Sequence, residues 1–132
     1  MVLNSEITIY NRFLESGSRS YKYRRTVLKK VYSEKTSGVQ AANTGLMRDD
    51  KLFVIIHKVN HAETYQDPKA FEKDPVGWTL APGDILVLGD INKEISRVKE
   101  LELEFDDVYT ITQVDEHYAG SSYVHHWEVW AK

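Results

Sequence analysis

The sequence predicts a mainly β, single-domain protein: an antiparallel β-barrel or sandwich of about six strands with one or two short helices. Three observations carry that expectation. Apolar, aromatic and β-branched residues alternate with polar ones over 5–14, 21–32, 107–115 and 123–131. Turn chemistry punctuates the chain, as in Pro82-Gly83-Asp84 and Gly89-Asp90. A length of 132 residues with 42% hydrophobic side chains fills one modest core and not two.

Each element follows from local pattern. In 5–14, Ile7, Ile9 and Phe13 share one face of a strand, and Tyr10 and Leu14 the other. The polar run ESGSRS (15–20) reads as a turn. A second strand over 21–32 puts Tyr21, Tyr23, Val27 and Val31 on one side. Residues 33–50, with Ser, Thr, Asn and two glycines and little periodicity, read as a long polar loop. The apolar run KLFVIIHKV (51–59) is expected to be a central strand buried on both faces. In DPKAFEKDP (67–75), Asp67 is placed to cap a short helix, Pro68 to open it and Pro75 to bar its extension. After the Pro-Gly turn, Ile85–Leu88 forms a strand. ISRVKELELEFDD (95–107) supports a short helix capped by Ser96 and burying Val98, Leu101 and Phe105, over a strand with Leu101, Leu103 and Phe105 on one face. The strands 107–115 and 123–131 close the chain as a hairpin across EHYAGSS, and Ile85, Tyr109 and Trp127 are expected in the core.

Composition excludes several chemistries. Without cysteine there is no disulfide, thiol nucleophile or thiolate metal site. No apolar run approaches the ~18–20 residues of a membrane span, so no membrane partner is expected, and MVLNSEITIYNR does not resemble an export signal. His57 and His61 stand four apart, but on a strand that spacing separates them by roughly 13 Å, and Lys58 replaces the glutamate of a zinc-protease helix. His125 and His126 are adjacent, so on a strand they face opposite ways, one packed and one exposed. No nucleophile elbow or phosphate-binding glycine loop is present. The sequence therefore leads us to expect no catalytic residue, metal site, cofactor or small-molecule substrate.

Charge is unevenly distributed. Residues 1–48 hold nine basic side chains (Arg12, Arg19, Lys22, Arg24, Arg25, Lys29, Lys30, Lys35, Arg48) against Glu6, Glu15 and Glu34. With 17 basic and 20 acidic residues in all, the remainder holds eight against 17, so a +6 half precedes a −9 half. Such opposed charge suits head-to-tail contact between neighbouring copies. A rival reading rests on RSYKYRRTVLKK (19–30), where tyrosines interleaved with basic residues resemble the face of a small barrel that binds single-stranded nucleic acid. The pI near 5.9 lies below the range usual for such domains.

Three segments resemble a known group: TVLKKVYSEK (26–35), APGDILVLGDI (81–91) and DDVYTITQVDEHYAGSSYVHHWEVWAK (106–132). They are similar to minor capsid and head–tail connector proteins, including the head-closure class, of tailed bacteriophages and prophages of Gram-positive bacteria. Asp107, Val108, Thr110, Ile111, Val114, Asp115, His126, Trp127 and Val129 carry the hairpin pattern. The resemblance implies a virion structural protein, made in the host bacterial cytoplasm and assembled as an oligomeric ring in the neck. Its partners would be copies of itself, portal or adaptor and tail proteins, with at most weak contact with packaged double-stranded DNA. The candidate interface residues are Arg24, Arg25, Lys29, Lys30, Thr44, Arg48, Asp49, Asp50, His117, Tyr118, Ser121 and Ser122. Glu100, Glu102, Glu104 and Asp107 are the candidates for an acidic channel-facing surface.

Overall fold

A computed structural model describes residues 3, 5–36, 39–42, 45–48 and 50–132. Six strands close into an antiparallel barrel: β1 (Ser5–Leu14), β2 (Tyr21–Thr36), β5 (Lys51–His57), β8 (His126–Ala131), β7 (Val108–His117) and β6 (Ile85–Leu88), in that spatial order. The remaining strands, β3 (Val39–Ala42) and β4 (Gly45–Arg48), pair only with each other among the described residues. The mainly β expectation holds, and closure selects the barrel over the sandwich. Among the described residues, no helix is long and apolar enough to cross a membrane.

The interior is filled by Ile7, Ile9, Leu28, Val31, Leu52, Val54, Ile56, Leu86, Tyr109, Ile111, Trp127 and Val129. Two bulges decide which residues reach it. On β2 the register to β1 slips between Ile7↔Leu28 and Ser5↔Val31, and Lys30 sits there at φ 57°. Before the bulge even-numbered residues such as Leu28 point inward; after it Val31 does. Tyr21, Tyr23 and Val27 thus do not share a face with Val31, which corrects the sequence expectation. On β7 a second slip between Ile111 and Gln113 turns the inward set from Tyr109 and Ile111 to Val114 and Glu116.

A second apolar cluster lies outside the barrel. The segment after β6 folds back over β1 and β6, so that Tyr10, Ile85, Val87 and Leu101 are buried together and Tyr23, Ile91, Ile95, Val98 and Phe105 pack on them. Within it, 99–102 forms a helical turn, α3 (Lys99–Glu102). The helix choice for 95–107 is therefore right, with Leu101 buried as expected. Its cap differs: Ser96 makes no side-chain cap, and instead the Glu100 carboxylate accepts the Ser96 and Arg97 N–H groups at 2.8 and 3.1 Å. The helix α2 (Pro68–Lys73) likewise starts at Pro68, with Asp67 at its cap position but without a side-chain bond.

The other correction concerns 33–50. Residues 33–36 continue β2 against β5, ending at Thr36↔Lys51. Three residues further along each side comes Val39↔Arg48, the same register, and pairing runs to Ala42↔Gly45. β8 accompanies β5 only from His57 to Leu52, so beyond Lys51 the ribbon has two strands. The loop expected here is a β-ribbon. Its polar residues and short strands left little periodicity to read in the sequence. β5 is also shorter than expected: Lys58–His61 turns into a helix, α1.

The stretch 78–84 belongs to no strand: Trp78 bonds to the Thr64 and Gln66 backbone, Gly83 and Asp84 to the Ile111 backbone, and Thr79 between them is held by Asn11. The Asn11 amide donates to the Thr79 carbonyl at 2.8 Å and accepts the Thr79 N–H at 3.1 Å, replacing a β-pair. It donates again to Asp84 Oδ2 at 2.8 Å, and Asp84 Oδ1 accepts the Arg12 N–H at 3.2 Å. Gly83 (φ 96°) completes the turn; a Cβ there would meet the Arg12 guanidinium at 2.6 Å. Burial pushes the Asp84 carboxyl up, against the opposing pull of Asn11 and Arg12.

Asn11→Ala is expected to destabilise the fold by about 2–3 kcal/mol in urea unfolding, because it strands the buried Thr79 backbone and Asp84 together. At position 30 the left-handed backbone predicts that Lys30→Gly will be more stable than Lys30→Ala by about 1 kcal/mol in the same assay.

Candidate functional site

The barrel carries distinct features at its two ends. At the His57 end of β5 the interior is plugged by aromatics: Trp78 and Trp127 meet edge to face at 5.5 Å, and Tyr65 lies 5.0 and 4.4 Å from them. Tyr65 and Trp78 are joined as an isolated bridge, and Trp78 Nε1 donates to Thr64 Oγ1 at 3.0 Å. Burial pushes the Tyr65 hydroxyl up to about 12. Gly77 allows this closeness, since a Cβ would fall 2.0 Å from the Thr64 carbonyl oxygen.

A polar cluster seals the plug. Glu116, turned inward by the β7 bulge, accepts Lys58 Nζ at 2.6 Å, Trp127 Nε1 at 3.1 Å and the Tyr118 hydroxyl. The Lys58 ammonium lies over the Tyr118 ring at 4.0 Å and the Trp127 ring at 5.0 Å. Partial burial pushes the Glu116 carboxyl up, but the bonds from Lys58, Tyr118 and Trp127 outweigh it and hold it below its ordinary value.

On the outer face of the same end, three histidines form a row across adjacent strands. His57 on β5 pairs with His126 on β8, which pairs with His117 on β7. The His117 and His126 rings stack nearly parallel, 4.7 Å apart, and His57 lies 6.0 Å from His126. Glu128, two residues along β8, pairs with His117 Nε2 and lies 3.7 Å from His126 Nε2. One donor atom each from His117, His126 and Glu128 falls within 4.8 Å of the others. Desolvation and then His126 pull His57 below the ordinary imidazole pKa.

Sequence reasoning missed this group. It set His57 beside His61, and His125 beside His126, by sequence spacing. His61 instead sits in α1, and His125 ends a 3-10 turn, its Nε2 3.2 Å from the Gly120 carbonyl. The signal that finds the group is cross-strand register in the terminal hairpin: His117 opposite His126, with Glu128 one same-face step away.

The other expected site residues are scattered. Arg24 donates to the Gly77 and Val76 carbonyls at 2.8 and 2.7 Å, and Arg25 to Glu94 and the Ile91 carbonyl at 3.0 Å each, so both brace their own chain. Lys29 lies 3.9 Å from Asp90, and Lys30 is exposed on the bulge. Thr44 and Asp49 lie outside the described residues; Arg48 is on β4, and Asp50 is half-buried at the ribbon's base. Tyr118 is exposed, and Ser121 and Ser122 lead into the 3-10 turn Ser122–Val124. Glu100, Glu102 and Glu104 stand on the outer layer; Glu104 pairs with Lys93, and Asp107 with Lys35 at 2.6 Å. Four acidic side chains thus leave less free negative charge than the sequence suggests.

Residues 2–132 match a family of unknown function, DUF6751. The chain belongs to that family. Searches of curated proteins and of solved structures found no match. The family match spans both ends of the barrel, so ribbon, plug and histidine row all fall within it.

Glu116→Gln is expected to cost about 1 kcal/mol at neutral pH. Its folded pKa lies below the ordinary 4.5, so its stabilisation is complete above that value and is lost as pH falls through the folded pKa. Urea titrations from pH 7 to 3 should show wild type and variant converging in acid.

Proposed function

We propose that this protein is a virion structural subunit, of head-closure or minor capsid type, that forms a ring in the head–tail connector between portal and tail. The reading starts from the sequence resemblance, and one structural observation supports it above others: β3 and β4 keep the register of the β2–β5 ladder, and no third strand joins them among the described residues. By the usual rise per residue, the segment from Lys51 to Gly45 spans about 20 Å. A two-stranded ribbon alone is marginally stable in water, so this one gains its order by lying on another surface.

Topology separates the ribbon from the hairpin tip at 117–125: they leave opposite ends of the β5–β8 ladder. Two unlike ends on one subunit suit heterologous contacts, which close into rings. One subunit carries a +6 first half and a −9 second half, opposed charge that suits contact between copies. Assembly of this kind needs no catalytic group, cofactor or small-molecule substrate, and it locates the protein in the virion neck after synthesis in the host bacterial cytoplasm. The single-strand-binding alternative draws less support, because Tyr23 is packed under the outer layer and Arg24 and Arg25 are engaged within the chain.

The test replaces residues 37–50 by Asn-Gly, joining β2 directly to β5. The variant is expected to melt as the wild-type barrel does yet to lose ring formation in negative-stain micrographs and binding to portal and tail proteins. Virions lacking the protein should show full heads and separate tails. A wild-type chain that stays monomeric and ignores those partners, or intact virions without it, would overturn the reading.

A further inference from the structure

We propose that His117, His126 and Glu128 form a binding site for a divalent transition metal, with zinc the ion best suited to two imidazoles and a carboxylate. The inference is independent of the assembly reading. Three features of the structure carry it.

The first is convergence. His117 and His126 are directly opposite on β7 and β8, and Glu128 is the next same-face residue on β8, so rigid strands rather than loops aim all three groups at one point. Their donor atoms lie within 4.8 Å of one another, and tetrahedral zinc with bonds of about 2.0–2.1 Å asks for donors about 3.3 Å apart. The 3.7 Å between His126 Nε2 and the Glu128 carboxylate already lies close to that value.

The second is tautomer control. His126 Nδ1 lies 2.7 Å from the Val124 carbonyl, which can only accept, so Nδ1 carries the proton. In the neutral ring Nε2 then holds a lone pair, and it lies 3.7 Å from a Glu128 carboxylate oxygen. A lone pair close to an anion is repulsive, and a cation between them reverses the sign. Backbone carbonyls that fix a ligand histidine through its other nitrogen are the usual outer support of metal sites.

The third is the charge around the group. Asp115 stands directly opposite Glu128 across β7–β8, a like-charge pair that is unfavourable by itself. Gln113 Nε2 reaches Asp115 at 3.2 Å, which is neutral compensation. With His57 completing the row, two carboxylates and three imidazoles crowd one outer patch, a set of electron-pair donors lacking a formal positive charge when the imidazoles are neutral. His117 and His126 remain 45% and 25% exposed at the side chain, so an ion has access and a fourth position stays open to water. Occupied, the site would clip β7 to β8 at the root of the 117–125 tip.

The full chain, stripped with EDTA and titrated with Zn²⁺ by calorimetry at pH 7.5, should bind one ion per chain. The bound ion should raise the melting temperature and shift the His117 and His126 Nε2 resonances in nitrogen-15 NMR. His117→Ala and His126→Ala should each weaken binding at least about tenfold, while His61→Ala and His125→Ala should bind as wild type does. Absence of binding, or binding that leaves those two Nε2 resonances unmoved or survives His117→Ala and His126→Ala, would overturn the assignment. The NMR readout uses the wild-type chain and so does not depend on any variant folding.

Discussion

The Asn11 side chain, standing in for a missing strand, is the constraint on which the rest of the barrel depends. A backbone segment that leaves a sheet must find partners for its N–H and C=O groups, and Thr79 lies between the backbone bonds of Trp78 and those of Gly83 and Asp84. By exchanging two hydrogen bonds with Thr79, Asn11 gives that segment one β-like pair and fixes Trp78 just before it. Trp78 in turn sets the aromatic plug with Tyr65 and Trp127. Asp84, the buried end of the same network, anchors the turn from which β6 starts. One buried amide therefore connects the first strand, the plug and the closing strand.

The two barrel ends inherit different physics from this arrangement. One end is sealed: aromatics fill it, and Lys58 with Glu116 cover the aromatics with a paired, cation–π-stabilised cluster. At the other end the β2–β5 ladder leaves the barrel as a ribbon. With the interior filled at the His57 end, contact there falls to the outer surface, which supplies the row of histidines, while the ribbon stands at the opposite end of the ladder. Assembly through the ribbon and metal clipping through the histidines would act on opposite ends of a single rigid ladder, β5–β8.

Bulges decide what faces outward. Without the slip at Gln113, alternation from Tyr109 and Ile111 would carry His117 inward and leave Glu116 on the surface. The slip reverses both, giving Trp127 its acceptor and His126 its stacked partner. The slip near Lys30 does the same for β2, sending Tyr23 under the outer layer and Val31 into the core. Neither bulge carries a glycine signature; Lys30 adopts its left-handed backbone without one.

Local pattern determined the elements with clean periodicity or firm punctuation: the strand at Ile85–Leu88, the hairpin over 108–131, the helix opened by Pro68 and the turn that buries Leu101. These depend on residues close in sequence, whose chemistry is visible there. Tertiary structure alone decided what depends on register: the pairing of β3 with β4, and the phase of β2 and β7. It also decided the metal-ligand geometry, because His117 and His126 are nine positions apart and meet only when β7 and β8 pair. Spacing along a chain predicts contact within one helix or strand; contact between strands is set by pairing, and a one-residue slip moves every side chain to the other face.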